Sequence, residues 1–503
     1  MLVAILIFIC IFTLLLYLET KKPKNYPPGP SWLPVVGSAV ALFKERKLNK
    51  FLYKATVKLA EKYSPKHRVL GLRIGKDRIV VVCGYESIKE MLLNEDIDGR
   101  PTGPFYETRT WGERRGVILT DEEFWQEQRR FVVRHLKEFG FGRKAMVDLI
   151  QDEAEHLLLD IKSKVGTGEK LLPMHDAFYV CVLNTLWSMM AGVRYSIHDK
   201  ELLQLQDLLA ELFANIDMVG CLFSQFPVLR FLAPELSGYK RFIRIHKKLW
   251  EFLKEELDKH KQNLKANDEP RDFMDVYLKM IASQEKNSSF SEKQLLAICM
   301  DMFMAGSETT SKGLGFMFLY LVRNPDKQRK AQAEIDAVIG RNRLPTLEDR
   351  QSMPYCEALV MEAIRLFMGR TFGIPHRALR DTKLCGYTIP KDAMVIANFH
   401  GILMNPRHWD DPEVFRPERF LDPVTGNLIS PNYEQYIPFG LGKHRCVGEL
   451  MARSNTFLFT ITLLQTYTFD VPPGEEMPTE DAVDGATPGV QPFNALVKYR
   501  DCA

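Results

Sequence analysis

Two spacings of apolar residues alternate along this chain. A helical period runs through most of it, and strand-length patterns appear in only a few places. The stretch "VLGLRIGKDRIVVVCG" at 69–84 reads as two strands around a Gly-Lys-Asp-Arg turn. Shorter strand-like pieces lie near 384–396 and 496–500. Helices fit 145–163, 236–264, 354–368 and 447–465. Thr120-Asp-Glu-Glu123 has the form of a capping box, opening a helix through Trp125, Arg129 and Leu136 to near Gly140 and Gly142. A second box, Ser291-x-x-Gln294 flanked by Phe290 and Leu295, opens a helix that runs to Asn324-Pro325. That helix is apolar on most sides, as expected of one crossing a large core. The predicted class is mostly α with a minor β region.

The N-terminus follows another rule. From Leu2 to Leu18 there is no charged residue. At a rise of about 1.5 Å per residue the run nearly spans a bilayer core of roughly 30 Å. The basic residues Lys21, Lys22 and Lys24 follow the run rather than precede it, and no small-residue cleavage site comes after. These flanks favour an uncleaved anchor over a cleaved signal, with the bulk of the chain cytosolic. Residues 1–19 are therefore expected to be a transmembrane signal anchor. Residues 20–37, with Pro27, Pro28, Pro30 and Pro34, are expected to be a stiff hinge. No linker or repeat interrupts 38–503, which reads as one domain.

Composition narrows the chemistry. The chain has 503 residues and a formal net charge of only +3, which gives no bulk electrostatic case for nucleic acid. Its nine cysteines are scattered and none falls in a C-x-x-C pair, so neither a disulfide framework nor a zinc knuckle is indicated. Cys446 stands apart, in "PFGLGKHRCVGE" at 438–449. It precedes a predicted helix, where the macrodipole is positive, and Gly440 and Gly442 would let backbone N–H groups approach its sulfur. Gly448 would let a flat cofactor lie against the backbone. An ordinary buried thiol beside a turn is the plain alternative. The whole pattern of Phe439, Gly442, His444, Cys446 and Gly448 argues against it.

That loop resembles the haem-thiolate loop of the cytochromes P450. The order and spacing of the remaining motifs resemble that family too, in the style of insect members of the animal microsomal group. The resemblance implies haem b with Cys446 as the proximal ligand of iron, where a thiolate favours O–O cleavage. His444 stands where arginine is common, and Phe439 and Gly448 complete the loop. In "AGSETT" at 305–310, Thr309 can bond back to the carbonyl of Ala305, and Gly306 would widen a groove for a diatomic ligand. The resemblance makes Glu308 and Thr309 an acid–alcohol pair relaying protons, with Ala305 and Gly306 against the haem. Trp125 and Arg129, four apart, are expected to point together at a haem propionate, and His376 at the other. Glu362, Arg365 and Arg419 are implied as a structural ion-pair set with no part in the chemistry.

The activity implied is insertion of one oxygen atom of O2 into a lipophilic substrate, by hydroxylation or epoxidation. No G-x-G-x-x-G follows a predicted strand, so NADPH is expected to act through a partner, NADPH–cytochrome P450 reductase, with cytochrome b5 as a further donor. Arg130, Arg134, Lys137, Lys443 and Arg445 offer a local basic face for docking it. The implied location is the endoplasmic reticulum membrane. Two alternatives compete: a haem-thiolate isomerase or dehydratase needing no reductase, and a non-catalytic haem-bound carrier or sensor. The Glu308–Thr309 match argues against the first. Nothing in the residues separates a hormone substrate from a foreign compound.

Overall fold

In the computed structural model the arrangement is centred on one 32-residue helix, Glu292–Arg323. The structure describes residues 11–500, apart from 12, 15, 16, 167, 266, 284–288 and 430–434. Most of the N-terminal anchor predicted for 1–19 thus lies outside the described residues. Among the described residues no helix is long and apolar enough to cross a membrane.

The principal helices are α1 (Glu122–Glu138), α2 (Lys144–Val165), α3 (Tyr179–Ala191), α4 (Tyr239–Asn263), α5 (Phe273–Ser283), α6 (Glu292–Arg323), α7 (Pro325–Val338), α8 (Pro354–Met368) and α9 (Glu449–Thr466). Helix α6 packs against α3, α4, α8 and α9. Ser291 caps it by accepting a hydrogen bond from the Gln294 N–H at 3.2 Å. The reciprocal half of the expected box is absent, because the Gln294 amide exchanges hydrogen bonds with the backbone of Gly116 and also donates to Gln128 Oε1. A single residue, Asn324, separates α6 from α7, where Pro325 occupies the first turn and needs no N–H partner.

The Thr120 capping box does not form. Thr120 Oγ1 donates to Gly116 O at 2.9 Å, and Asp121 takes the N-cap position without a side-chain cap bond. Its carboxylate is claimed from further away, accepting from Arg114, the Arg100 N–H and Arg377. Burial opposes ionisation of Asp121, but these donors together hold it down to about 2. Helix α3 is buried on every face, so it has no polar side to betray its period.

A four-stranded sheet lies at the other end, with strands β1 (Val69–Ile74), β2 (Asp77–Val82), β3 (His376–Arg377) and β4 (Met394–Ala397) in the order β1-β2-β4-β3. An isolated bridge joins Arg377 to Gly99, where a Cβ would fall 2.8 Å from Arg377 O. Only glycine permits that approach, and it sets Arg100 beside β3.

Helix α8 carries a fully buried ion pair, Glu362 with Arg365, which the half-buried Arg419 joins from Pro417–Phe420. Arg365 donates to both oxygens of Glu362, at 2.7 and 2.9 Å, and Arg419 Nε donates to Glu362 Oε1 at 2.9 Å. The remaining Arg365 N–H groups reach Leu403 O and Pro412 O, so the charges are hydrogen-bonded as well as paired. Removing one partner leaves a buried charge uncompensated. Arg365→Ala is expected to cost about 3–5 kcal/mol in denaturant unfolding, with Arg365→Lys a poor rescue because lysine has no fork.

A second buried pair has a pH signature. His260 donates from Nε2 to Asp272 at 3.0 Å and from Nδ1 to Glu256 O at 2.8 Å, tying α4 to the segment before α5. Burial opposes the charge on His260, but Asp272 and Glu256 prevail and raise it to about 10. The contribution is complete below the ordinary value of about 6.5 and fades as pH rises through about 10. The stability difference between wild type and His260→Gln should therefore shrink between those pH values. A constant difference would contradict the assignment.

Candidate active site

Helix α6 is buried along its length except on one stripe. Ala305 and Thr309 are exposed and Met302, Gly306 and Gly313 are half-buried, while Ser307 and Glu308 beside them are buried. Residues three and four apart share a helix face, so the stripe is continuous. Thr309 Oγ1 donates to Ala305 O at 2.9 Å, which fixes the hydroxyl hydrogen and turns the oxygen lone pairs outward. Ser307 and Ser311 bond back in the same way to Phe303 O and Ser307 O.

Glu308 does not share that face. It lies one residue, about 100°, around the helix, where its Oε2 sits 2.9 Å from Lys312 Nζ. Gly306 has a packing reason: a Cβ there would fall 2.4 Å from Leu186 Cδ2, so the glycine admits α3.

Cys446 lies on a loop that enters α9. Its N–H donates to Phe439 O at 3.0 Å, closing the turn. Gly440 and Gly442 both have positive φ, near +73° and +74°. Gly442 is pressed against α-helical residue Leu92 rather than the sulfur, since a Cβ would fall 2.3 Å from Leu92 O. At Gly448 a Cβ would meet only Cys446 Sγ, at 3.8 Å. Helix α9 begins at Glu449, two residues later than the sequence pattern suggests. Cys446 is exposed by surface area, yet protein crowds the residue enough for burial to push its thiol up. The Gly448 N–H, Arg129 and Arg445 oppose that rise, and Glu449 reinforces it.

Beside this loop several basic groups converge. The Trp125 and His444 rings meet at a 37° tilt with centroids 4.1 Å apart, and His376 meets His444 edge-on at 5.3 Å. Arg129 lies 5.3 Å over the Trp125 ring and donates to Arg445 O at 2.8 Å. The Trp125 indole N–H is directed elsewhere than expected, to Val117 O at 3.1 Å. His444 is held by Asp98, and His376 by Ile97 O at 2.8 Å. Arg100, which the sequence reading did not single out, is buried among them. Its Nη1 donates to Pro375 O, and its Nε has no partner. Burial, with Arg129 adding, lowers Arg100 to about 10, and burial with Arg100 and His444 pushes His376 well below its usual value. A buried cluster of mutually repelling bases with a spare donor is built for anions.

The family described as Cytochrome P450 matches residues 27–492. The chain belongs to the cytochrome P450 family. A probable cytochrome P450 303a1 of Drosophila melanogaster is 48% identical over 502 residues, covering 98% of both chains. Farnesoate epoxidase of Bombyx mori is 36% identical, with 98% of both chains covered. Cytochrome P450 2J2 of Homo sapiens is 34% identical, covering 92% of this chain and 89% of its own.

Cytochromes P450 are oxidoreductases of the monooxygenase class that use a cysteine-ligated haem and electrons from NADPH delivered through a reductase. The residues here fit that group. A thiol and an accessible helix stripe would serve its two faces, and the cluster around Arg100 suits two carboxylates. A cavity of about 520 Å3 lies apart from them, lined by Phe43, Arg46, Leu222, Phe223, Leu236 and others. The cluster of His260, Asp272 and Asp275 has ligand-like spacing, but its groups are already engaged with Glu256, Arg271 and one another. No single-residue pattern marks Arg100 in the sequence. Its one signal is the neighbouring Gly99, which lets the chain lie against β3. Arg100→Gln should weaken haem retention by about 1.5–3 kcal/mol, roughly ten- to a hundred-fold, measured as haem loss to a scavenger protein.

Proposed function

We propose that this cytochrome P450 is a membrane-anchored monooxygenase in which Cys446 is the axial ligand of haem iron. The overall reaction is RH + O2 + NADPH + H+ giving ROH + H2O + NADP+, or an epoxide from an alkene. The observation that carries the reading is the accessible Cys446 and the accessible Ala305–Thr309 stripe on elements otherwise packed into the core. Haem bound between them would supply the redox-active iron at which dioxygen is reduced.

The remaining roles belong to the chain. Phe439 O holds the Cys446 backbone, and the Gly448 N–H favours the thiolate form of its sulfur. Arg100, Arg129, His376 and His444, with Trp125 packed between Arg129 and His444, are assigned to the propionates. Thr309, its hydrogen committed to Ala305 O, offers an acceptor oxygen on the reactive face, and Glu308 is the acid nearest it in sequence. Ala305 and Gly306 form the wall of that face. Glu362, Arg365 and Arg419 hold the scaffold.

Residues 1–19 are assigned as the anchor, 20–37 as the hinge and 38–503 as the catalytic domain, at the cytosolic side of the endoplasmic reticulum. Two segments with exposed apolar side chains support a bilayer-facing surface: Val40, Phe43 and Leu48, and Phe231, Leu232 and Leu236. Phe43 and Leu236 also line the 520 Å3 cavity, which suits entry of a lipophilic substrate from that side. The reductase is assigned to the surface bearing Arg130, Arg134 and Lys137, which are exposed, with Lys443 and Arg445. Lys443, Arg445 and Arg134 already pair with Glu95, Glu449 and Glu138, so Arg130 and Lys137 are the better candidates for docking. An insect hormone or foreign compound is the expected substrate, and the farnesoate epoxidase relative puts sesquiterpenoid acids first in a trial panel.

Reconstitution with reductase tests this. Product formation should match NADPH and oxygen consumption, and Thr309→Ala should divert electrons to hydrogen peroxide while haem is kept. Product formed without reductase, or ligand bound without turnover, would overturn the reading.

A further inference from the structure

Lys312 sits one turn beyond Glu308 on α6, with a carboxylate, a backbone carbonyl and an aromatic ring around its ammonium. Its Nζ lies 2.9 Å from Glu308 Oε2, 3.4 Å from Thr487 O and 5.5 Å over the Phe213 ring. Three separate segments therefore fix one ammonium: α6 itself, the loop containing Thr487, and the end of the helix Lys200–Ala214. The loop is held in turn, since Ala486 N–H donates to Phe213 O at 2.9 Å and a Cβ on Gly485 would fall 2.2 Å from that same oxygen. Glu308 is 2% exposed. A carboxylate so buried is costly unless it is paired.

The pairing is incomplete in an informative way. Oε2 is within ion-pair distance of the ammonium yet receives no aligned hydrogen bond. It keeps an acceptor site. Among the described residues the Tyr179 hydroxyl of α3 is also buried without an aligned hydrogen bond, and it feels the charge of Glu308.

We propose that Lys312 is the positioning residue for Glu308 in proton delivery. Its anchored ammonium holds the carboxylate on the flank of the reactive stripe, one residue from Thr309, with one oxygen open to a proton or water. The proton taken from solution in each turnover would then pass through a carboxylate that cannot swing away. The inference rests on the monooxygenase reading above.

A double-mutant cycle of Lys312→Gln and Glu308→Gln tests it, with Lys312→Arg as rescue, in protein reconstituted with reductase. Lys312→Gln should lower product formed per NADPH on the order of ten-fold, with peroxide rising, and Lys312→Arg should restore most of it. Once Glu308→Gln is present, Lys312→Gln should add nothing. Infrared spectroscopy gives a reading independent of turnover. The carboxylate band lost in Glu308→Gln should shift in Lys312→Gln and return in Lys312→Arg. Should Lys312→Gln not fold alone, the comparison of Glu308→Gln with the double variant still decides. Additive losses, or an unmoved band, overturn the role of Lys312. A wild type that forms no product with reductase would overturn the monooxygenase reading itself, and the role of Lys312 with it.

Discussion

Helix α6 can run through the middle of the molecule only if every polar group it carries finds a partner inside it. Its apolar side chains satisfy the core readily, but Gln294, Asp301, Ser307, Glu308 and Ser311 are all buried as well. Each is answered locally. Gln294 closes on Gly116, and Asp301 accepts from Arg109 and from the Val117 and Ile118 N–H groups. The serines bond back to their own helix, and Glu308 meets Lys312. What is left unclaimed is one stripe, and it is there that Thr309 presents an oxygen. The segment 109–118 is thereby bound to the same helix that carries the stripe.

The Cys446 loop obeys the opposite rule. Around Cys446 the bases are gathered rather than matched, and the acids near them, Asp98 and Asp121, are already engaged by His444 and by the arginines 114 and 377. Such a surplus is unfavourable by itself and is offset only when an anionic group sits among them. The haem of this family carries such charge on its two propionates. The Glu362–Arg365–Arg419 set ties α8 to the segments around Leu403, Pro412 and Arg419.

Local patterns carried much of this. Helix α8 occupies the predicted span 354–368 because Pro354 starts it and its apolar period is clear. The span of α6, with Ser291 at its cap and Asn324 at its end, was readable for the same reason. Readability failed where partners come from far along the chain. Thr120 gives up its expected capping role to bond Gly116 O, and Asp121, which takes the N-cap position, turns its carboxylate to distant arginines instead of the helix terminus. Gln294 leaves its box for Gly116, and Gly306 is small for the sake of Leu186. The separation of Glu308 from Thr309 follows from helix geometry, but the side on which the acid finds its cation depends on where the Thr487 loop lies. Arg100 became visible only once the Gly99–Arg377 bridge had placed it.

The central claim is that Cys446 holds haem iron as a thiolate. The ferrous–carbon monoxide spectrum of the purified protein, compared with that of Cys446→Ser, tests it most directly, with circular dichroism to verify the fold of each. The account predicts the red-shifted thiolate band in the wild type and its loss in Cys446→Ser with the helical signal retained. The same band in both proteins, or no haem absorption in the folded wild type, would contradict it.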